Sequence, residues 1–175
     1  MKYGKLSALL TACAAAAFLT GCGGTGSENL QQGMGQIEQM DYEGALKSFE
    51  AATVNKENMR QVYRGQGLAY MGLTDYENAV VSLEKALALG GPVPDSLDFD
   101  INYYLATAYY KGGQAERAIE VYGAITDLRP QEKDAWYLKG TMELELGQQE
   151  QAKADFDRAV QIDGDDYDMR IDIFC

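Results

Sequence analysis

Trp136-Tyr137-Leu138-Lys139-Gly140, followed twelve residues after its glycine by Ala152-Lys153-Ala154-Asp155-Phe156, is the stretch on which the fold turns. Its small residue followed four positions on by a large apolar one returns along the chain. Ala45-x3-Phe49, Ala79-x3-Leu83, Ala118-x3-Tyr122 and Ala152-x3-Phe156 are separated by 34, 39 and 34 residues. Twelve positions before each alanine stands Gly33, Gly67, Ala106 or Gly140, and seven after it stands Ala52, Ala86, Ile125 or Ala159. A period near 34 with this pattern marks stacked helical hairpins.

The register resembles the tetratricopeptide repeat, whose signature runs W-x2-L-G-x2-Y, then A-x3-F, then P. The fullest copies are Trp136-x2-Lys139-Gly140 with Ala152-x3-Phe156, and Tyr63-x2-Gln66-Gly67-x2-Tyr70 with Ala79-x3-Leu83. The third copy carries Tyr109 in the aromatic slot and Pro130 in the closing slot. Gln66 and Lys139 replace the usual leucine, and Gln36 and Glu143 replace the usual aromatic. The resemblance implies an all-α solenoid of four antiparallel hairpins over residues 29–164. The start of a further, incomplete repeat falls in 165–175, and its apolar ending, Ile171 to Cys175, predicts a longer natural protein.

Physical chemistry explains the residue types. Antiparallel helices approach closely only where side chains are small, so glycine or alanine marks each crossing and a large side chain fills the space beside it. Glycine inside a helix costs roughly 0.5–1 kcal/mol relative to alanine, so Gly67 and Gly140 are kept for packing. Gly33 and Gly35 together make the first hairpin the weakest. Breaks at Thr74-Asp75, Gly112-Gly113 and Gly147-Gln148 divide the hairpins, and the five extra residues before the third copy fall in a surface loop, Gly90 to Ser96.

The N-terminus supplies an address. Residues 1–21 read as a secretory signal: Lys2 and Lys5, then an apolar run to Leu19, too short to span a bilayer. Leu19-Thr20-Gly21-Cys22 resembles a bacterial lipobox, in which the cysteine is acylated and becomes the new N-terminus. Leu10-Thr11-Ala12-Cys13 also matches, but cutting there leaves a short apolar core and an apolar mature end. Cutting before Cys22 leaves residues 22–28 as a glycine-rich tether. The competing reading is an ordinary signal peptide with a chance cysteine. Acylation predicts a protein anchored on the extracytoplasmic side of the cell membrane, or in an outer membrane where one exists. Cys13 would leave with the signal and Cys22 be capped, so Cys175 remains the one free thiol.

Composition narrows the chemistry. The chain has no histidine, which removes Ser-His-Asp and Cys-His arrangements and the usual zinc sets. Glu143 and Glu145 point different ways on one helix, and Asp163 to Asp168 lacks the glycine and closing glutamate of a calcium loop. The expectation is no catalytic residue, no metal, no cofactor and no small-molecule substrate. A formal charge of −12, or −14 without Lys2 and Lys5, disfavours nucleic acid and anionic headgroups and favours cationic proteins or peptides.

The remaining candidate is a groove. In tetratricopeptide proteins the first helix of each hairpin lines a concave face at its second, fifth, ninth, twelfth and thirteenth repeat positions. The resemblance thereby implies Arg64, Leu68 and Met71 from hairpin two, and Tyr103, Thr107, Tyr110 and Lys111 from hairpin three. Hairpin four supplies Tyr137, Thr141 and Leu144. The three tyrosines form an expected aromatic strip, and Arg64 with Lys111 predicts an apolar partner segment carrying an occasional acid. Leu68 and Thr107 stand where chaperone-binding relatives need asparagine, so a carboxylate clamp is not expected. The reading is a lipid-anchored scaffold for a protein or peptide. Alternatives are a structural part of a cell-envelope assembly complex, or an accessory domain of a longer enzyme.

Overall fold

The computed structural model describes residues Ser27–Asp163. The signal segment 1–21, Cys22, the tether up to residue 26 and the incomplete repeat at 165–175 lie outside the described residues. Eight helices follow one another: α1 Glu28–Glu38, α2 Tyr42–Val54, α3 Met59–Gly72, α4 Tyr76–Ala88, α5 Ser96–Lys111, α6 Ala115–Leu128, α7 Lys133–Glu145 and α8 Gln149–Ile162. No strand occurs among the described residues. Each odd helix packs most extensively on the even helix after it, giving four hairpins. Among the odd helices α3 also meets α1 and α5, whereas no pair of even helices comes as close. That asymmetry puts the odd helices on the inside of the curve. The fold is the expected all-α solenoid.

The repeat positions hold the core. Ala45, Ala79 and Ala118 are fully buried and Ala152 nearly so, each beside its large partner. A methyl group added at Gly33 would lie 2.5 Å from the Phe49 ring, one at Gly67 2.6 Å from Leu83, and one at Gly140 2.9 Å from Phe156. The glycines are therefore crossing points whose helical cost is offset by close packing. Gly35 meets nothing within 4 Å, so of the two glycines that dilute α1 only Gly33 has a packing role.

The turn inside each hairpin is also a repeat. Met40, Thr74, Gly113 and Gly147 have φ of 60°, 59°, 78° and 76°. In each turn the next residue's N–H reaches the carbonyl five back, as Asp41 to Gln36 and Gln148 to Glu143, both at 2.8 Å. These are Schellman closures, which favour glycine at the left-handed position. Hairpins one and two use Met40 and Thr74 there, and compensate with Asp41 and Asp75, whose side chains cap the second helix at Gly44 N (3.0 Å) and Asn78 N (3.2 Å). Thr74→Gly should therefore raise stability by about 1 kcal/mol, because a β-branched residue is strained at positive φ. Thermal denaturation checks this, and an unchanged or lower midpoint counts against it.

The open end of each hairpin is clasped by a different chemistry. In hairpin one Glu57 accepts from Leu30 N (2.8 Å) and Asn29 Nδ2 (2.7 Å). In hairpin three Arg129 stacks on Phe99, 3.3 Å from the ring centroid, and in hairpin four Lys133 meets Asp163 at 3.2 Å. In hairpin two Arg60 reaches across the insertion to Asp95 at 2.6 and 3.0 Å, and also to Asp98. Asp95 and Asp98 form the capping box of α5, and hydrogen bonding to Arg60 holds the Asp95 carboxyl down to about 2. One arginine thus fixes where the chain resumes its register after the extra residues.

Candidate functional site

The concave face is built from the turns of α3, α5 and α7 that point away from the even helices. At its centre Leu68 and Met71 are half-buried, and Leu144 is 51 % exposed. Met34 and Ile37 occupy the same repeat positions of α1 and are also half-buried. The ninth and twelfth positions of hairpin one thus extend the apolar band into α1.

The polar residues expected there are mostly engaged within the fold. The Arg64 Nε donates to Asp100 Oδ2 at 2.5 Å, and its guanidinium lies 5.4 Å from the Tyr104 ring centroid. Tyr103 sets its ring edge-on to Tyr122 at 5.8 Å, and its hydroxyl is buried with no hydrogen-bond partner among the described residues. Burial, then the nearby Glu132 and Asp134, push that hydroxyl's pKa well above its usual range. Tyr137 rests on Phe156 with centroids 5.7 Å apart. Tyr110 donates its hydroxyl to both oxygens of Glu145 at 2.6 and 2.8 Å, at an exposed site. Lys111 is exposed, its ammonium 5.6 Å from the Tyr110 ring centroid. Thr107 and Thr141 return their hydroxyls to Tyr103 O (2.9 Å) and Tyr137 O (3.0 Å) of their own helices. The three tyrosines therefore do not make one continuous strip. Two serve packing between helices, and the open surface is an apolar band in which Tyr110 holds the repeat position between Met71 and Leu144.

This geometry has counterparts. Residues 30–96 and 103–167 match the family model of the tetratricopeptide repeat. The chain belongs to the tetratricopeptide repeat family. It is 26% identical over 137 residues to a TPR repeat-containing protein of Methanocaldococcus jannaschii, covering 77% of this chain and 23% of that relative's length. The TPR protein YrrB, solved with an unusual peptide-binding site, superposes with a TM-score of 0.71 at 19% identity, over 85% of this chain and 74% of its own. MamA superposes with a TM-score of 0.71 at 21% identity, over 80% and 79%. At these identities the two structures share the fold.

Against the tetratricopeptide pattern, the departures at Gln36, Lys139 and Glu143 have a structural account. In hairpin one Ser48 Oγ donates to Gln36 Oε1 at 2.6 Å. The same two repeat positions in hairpin four hold Glu143 and Asp155, and Lys139 Nζ lies 2.9 Å from Asp155 Oδ2 and 3.7 Å from Glu143 Oε1. Glu143 and Asp155 are almost fully buried. Burial, then the facing Asp155 carboxyl, push Glu143 up to about 7. The first and fourth hairpins thus carry polar pairs where the second and third carry Tyr70 and Tyr109. Sequence reading could not find this cluster, since Glu143 and Asp155 are twelve residues apart on different helices. Among the described residues no group of three or more His, Cys, Asp or Glu is placed to hold a metal ion.

Proposed function

We propose that this tetratricopeptide array is a binding scaffold, not a catalyst, and that its inner face holds an extended protein or peptide segment. The observation that carries the reading is the solvent-reachable apolar band of Leu68, Met71 and Leu144, on a face where Arg64 and Tyr103 are held by internal contacts. Exposed apolar surface rimmed by polar groups is what partners cover. A photo-crosslinking residue placed at Met71 or Leu144 should trap the partner in intact cells, while one at Val81, 42 % exposed on α4, should not. Equal trapping from Val81 would move the site to the outer face. Tyr110→Ala with Leu144→Ala should then weaken binding by about 2 kcal/mol or more if both are anchors. The pair is chosen because truncating Tyr103 or Tyr137 would also remove packing.

We further propose that Cys22 is acylated and tethers the scaffold to the extracytoplasmic side of the membrane. What supports this is Leu19-Thr20-Gly21-Cys22 after an apolar run, with glycine-rich residues behind it. Cys22→Ser should leave the protein unprocessed or released, read by partition between detergent and aqueous phases. A processed serine variant that still enters the detergent phase would overturn the assignment.

A further inference from the structure

We infer that the segment held in the groove is basic as well as apolar, with lysine or arginine side chains flanking the groups that cover Leu68, Met71 and Leu144. The inference rests on the groove reading and adds the charge of the occupant. It starts from which groove charges are already compensated. Arg64, the cation best placed to attract an acid, is bound to Asp100 at 2.5 Å and its side chain is 19% exposed. An acidic segment would have to displace Asp100 and pull Arg64 off Tyr104. Lys111, the other groove cation, is exposed over the neutral Tyr110 ring and has no carboxylate partner among the described residues, so it is one open positive charge.

Against that single open cation stand three open acids. Glu38 and Glu145 stand at the thirteenth repeat position of α1 and α7, and Asp134 at the second position of α7; all three are exposed. None of the three has a cationic partner among the described residues. Glu145 is held by the Tyr110 hydroxyl, a neutral donor that orients the carboxylate and leaves its charge open to a cation. An apolar floor between uncompensated carboxylates suits lysine or arginine, whose methylene stems cover apolar surface while the charged head stays at the rim. Charge of this kind steers encounter and sets specificity. It also disfavours a second copy of this chain as the occupant, because the protein carries a net charge of −12.

The test uses the full chain in detergent and three fluorescent peptides that share one pattern of leucine and phenylalanine. The intervening positions are all lysine, all serine or all glutamate. By anisotropy the lysine peptide should bind about tenfold or more tighter than the others at low salt, with the advantage shrinking as salt rises. Glu38→Gln with Glu145→Gln should remove most of that advantage. Glu77→Gln with Glu116→Gln, an equal charge change on the even helices, should not. Equal loss from both pairs would show diffuse attraction and overturn the inference. Tighter binding of the serine or glutamate peptide, lost in Leu144→Asp, would overturn the charge assignment while leaving the groove in place. Binding of any peptide that is indifferent to Leu144→Asp and Met71→Asp would overturn the groove itself, and no binding by any of the three would overturn the inference.

Discussion

Lys139→Met should destabilise the protein by about 3–5 kcal/mol, the cost of leaving buried charge without its partner, and by more at pH 8 than at pH 5. Among the described residues Lys139 is the cation that faces Glu143 and Asp155, 3.7 Å from the first and 2.9 Å from the second. When Glu143 carries its proton, one positive and one negative charge balance. When it ionises, two negative charges share one ammonium. Burial and the Asp155 carboxyl raise Glu143 from an ordinary 4.5 to about 7. A carboxyl raised by folding contributes stability that is fully present below 4.5 and is lost as pH rises through about 7. The resulting swing in stability is on the order of 3 kcal/mol. Glu143→Gln keeps the shape and removes the titration, so its denaturation midpoint should rise relative to wild type between pH 5 and pH 8. Parallel midpoints across that range would show that Glu143 is ionised throughout. Glu143→Gln with Asp155→Ser and Lys139→Leu, which copies the neutral pair of Gln36 and Ser48, should be pH-independent over the same interval.

Phe49→Ala should cost about 3–5 kcal/mol, as large-to-small changes in a closed core do. Phe49 on α2 has no exposed surface and lies between two glycines on two different helices. A methyl group at Gly33 of α1 would come 2.5 Å from its ring, and one at Gly65 of α3 would press on the same ring. The ring therefore joins its own hairpin to the next one. Gly65→Ala in the wild-type background should destabilise by about 1–3 kcal/mol through overpacking. In the Phe49→Ala background the same methyl enters vacated space, and Gly65→Ala should be neutral or stabilising. Such a reversal is a coupling that two independent sites could not show. Additive effects in urea denaturation would mean that Phe49 is not the element wedged between α1 and α3.

How much of this was legible in advance depended on whether the determinant was local or shared between helices. The crossings were legible because a close approach selects a small residue on one helix and a large one on the other, and Gly140 with Phe156 repeats that choice every 34 residues or so. The insertion before α5 was legible as a break in the period. Its clasp was not: Arg60 and Asp95 are 35 residues apart, and nothing near either one announces the other. The groove was legible as a set of helical positions, yet not in its state. Position alone made Arg64 a free cation and Tyr103 a free ring; the neighbouring hairpin took Arg64 with Asp100, and Tyr103 closed on Tyr122.

Helical periodicity and small-to-large pairing are written within one hairpin's length. The order of residues alone therefore specifies a stack of helical hairpins, which helix faces turn inward and where the repeat is interrupted. The N-terminal pattern also carries the proposed membrane address. The packed helices were needed to establish which charges remain uncompensated on the inner face, and that Lys139, Glu143 and Asp155 form one buried cluster. Charge compensation is a property of distances of a few ångströms between residues far apart in the chain, and those distances exist only once neighbouring helices have closed on one another.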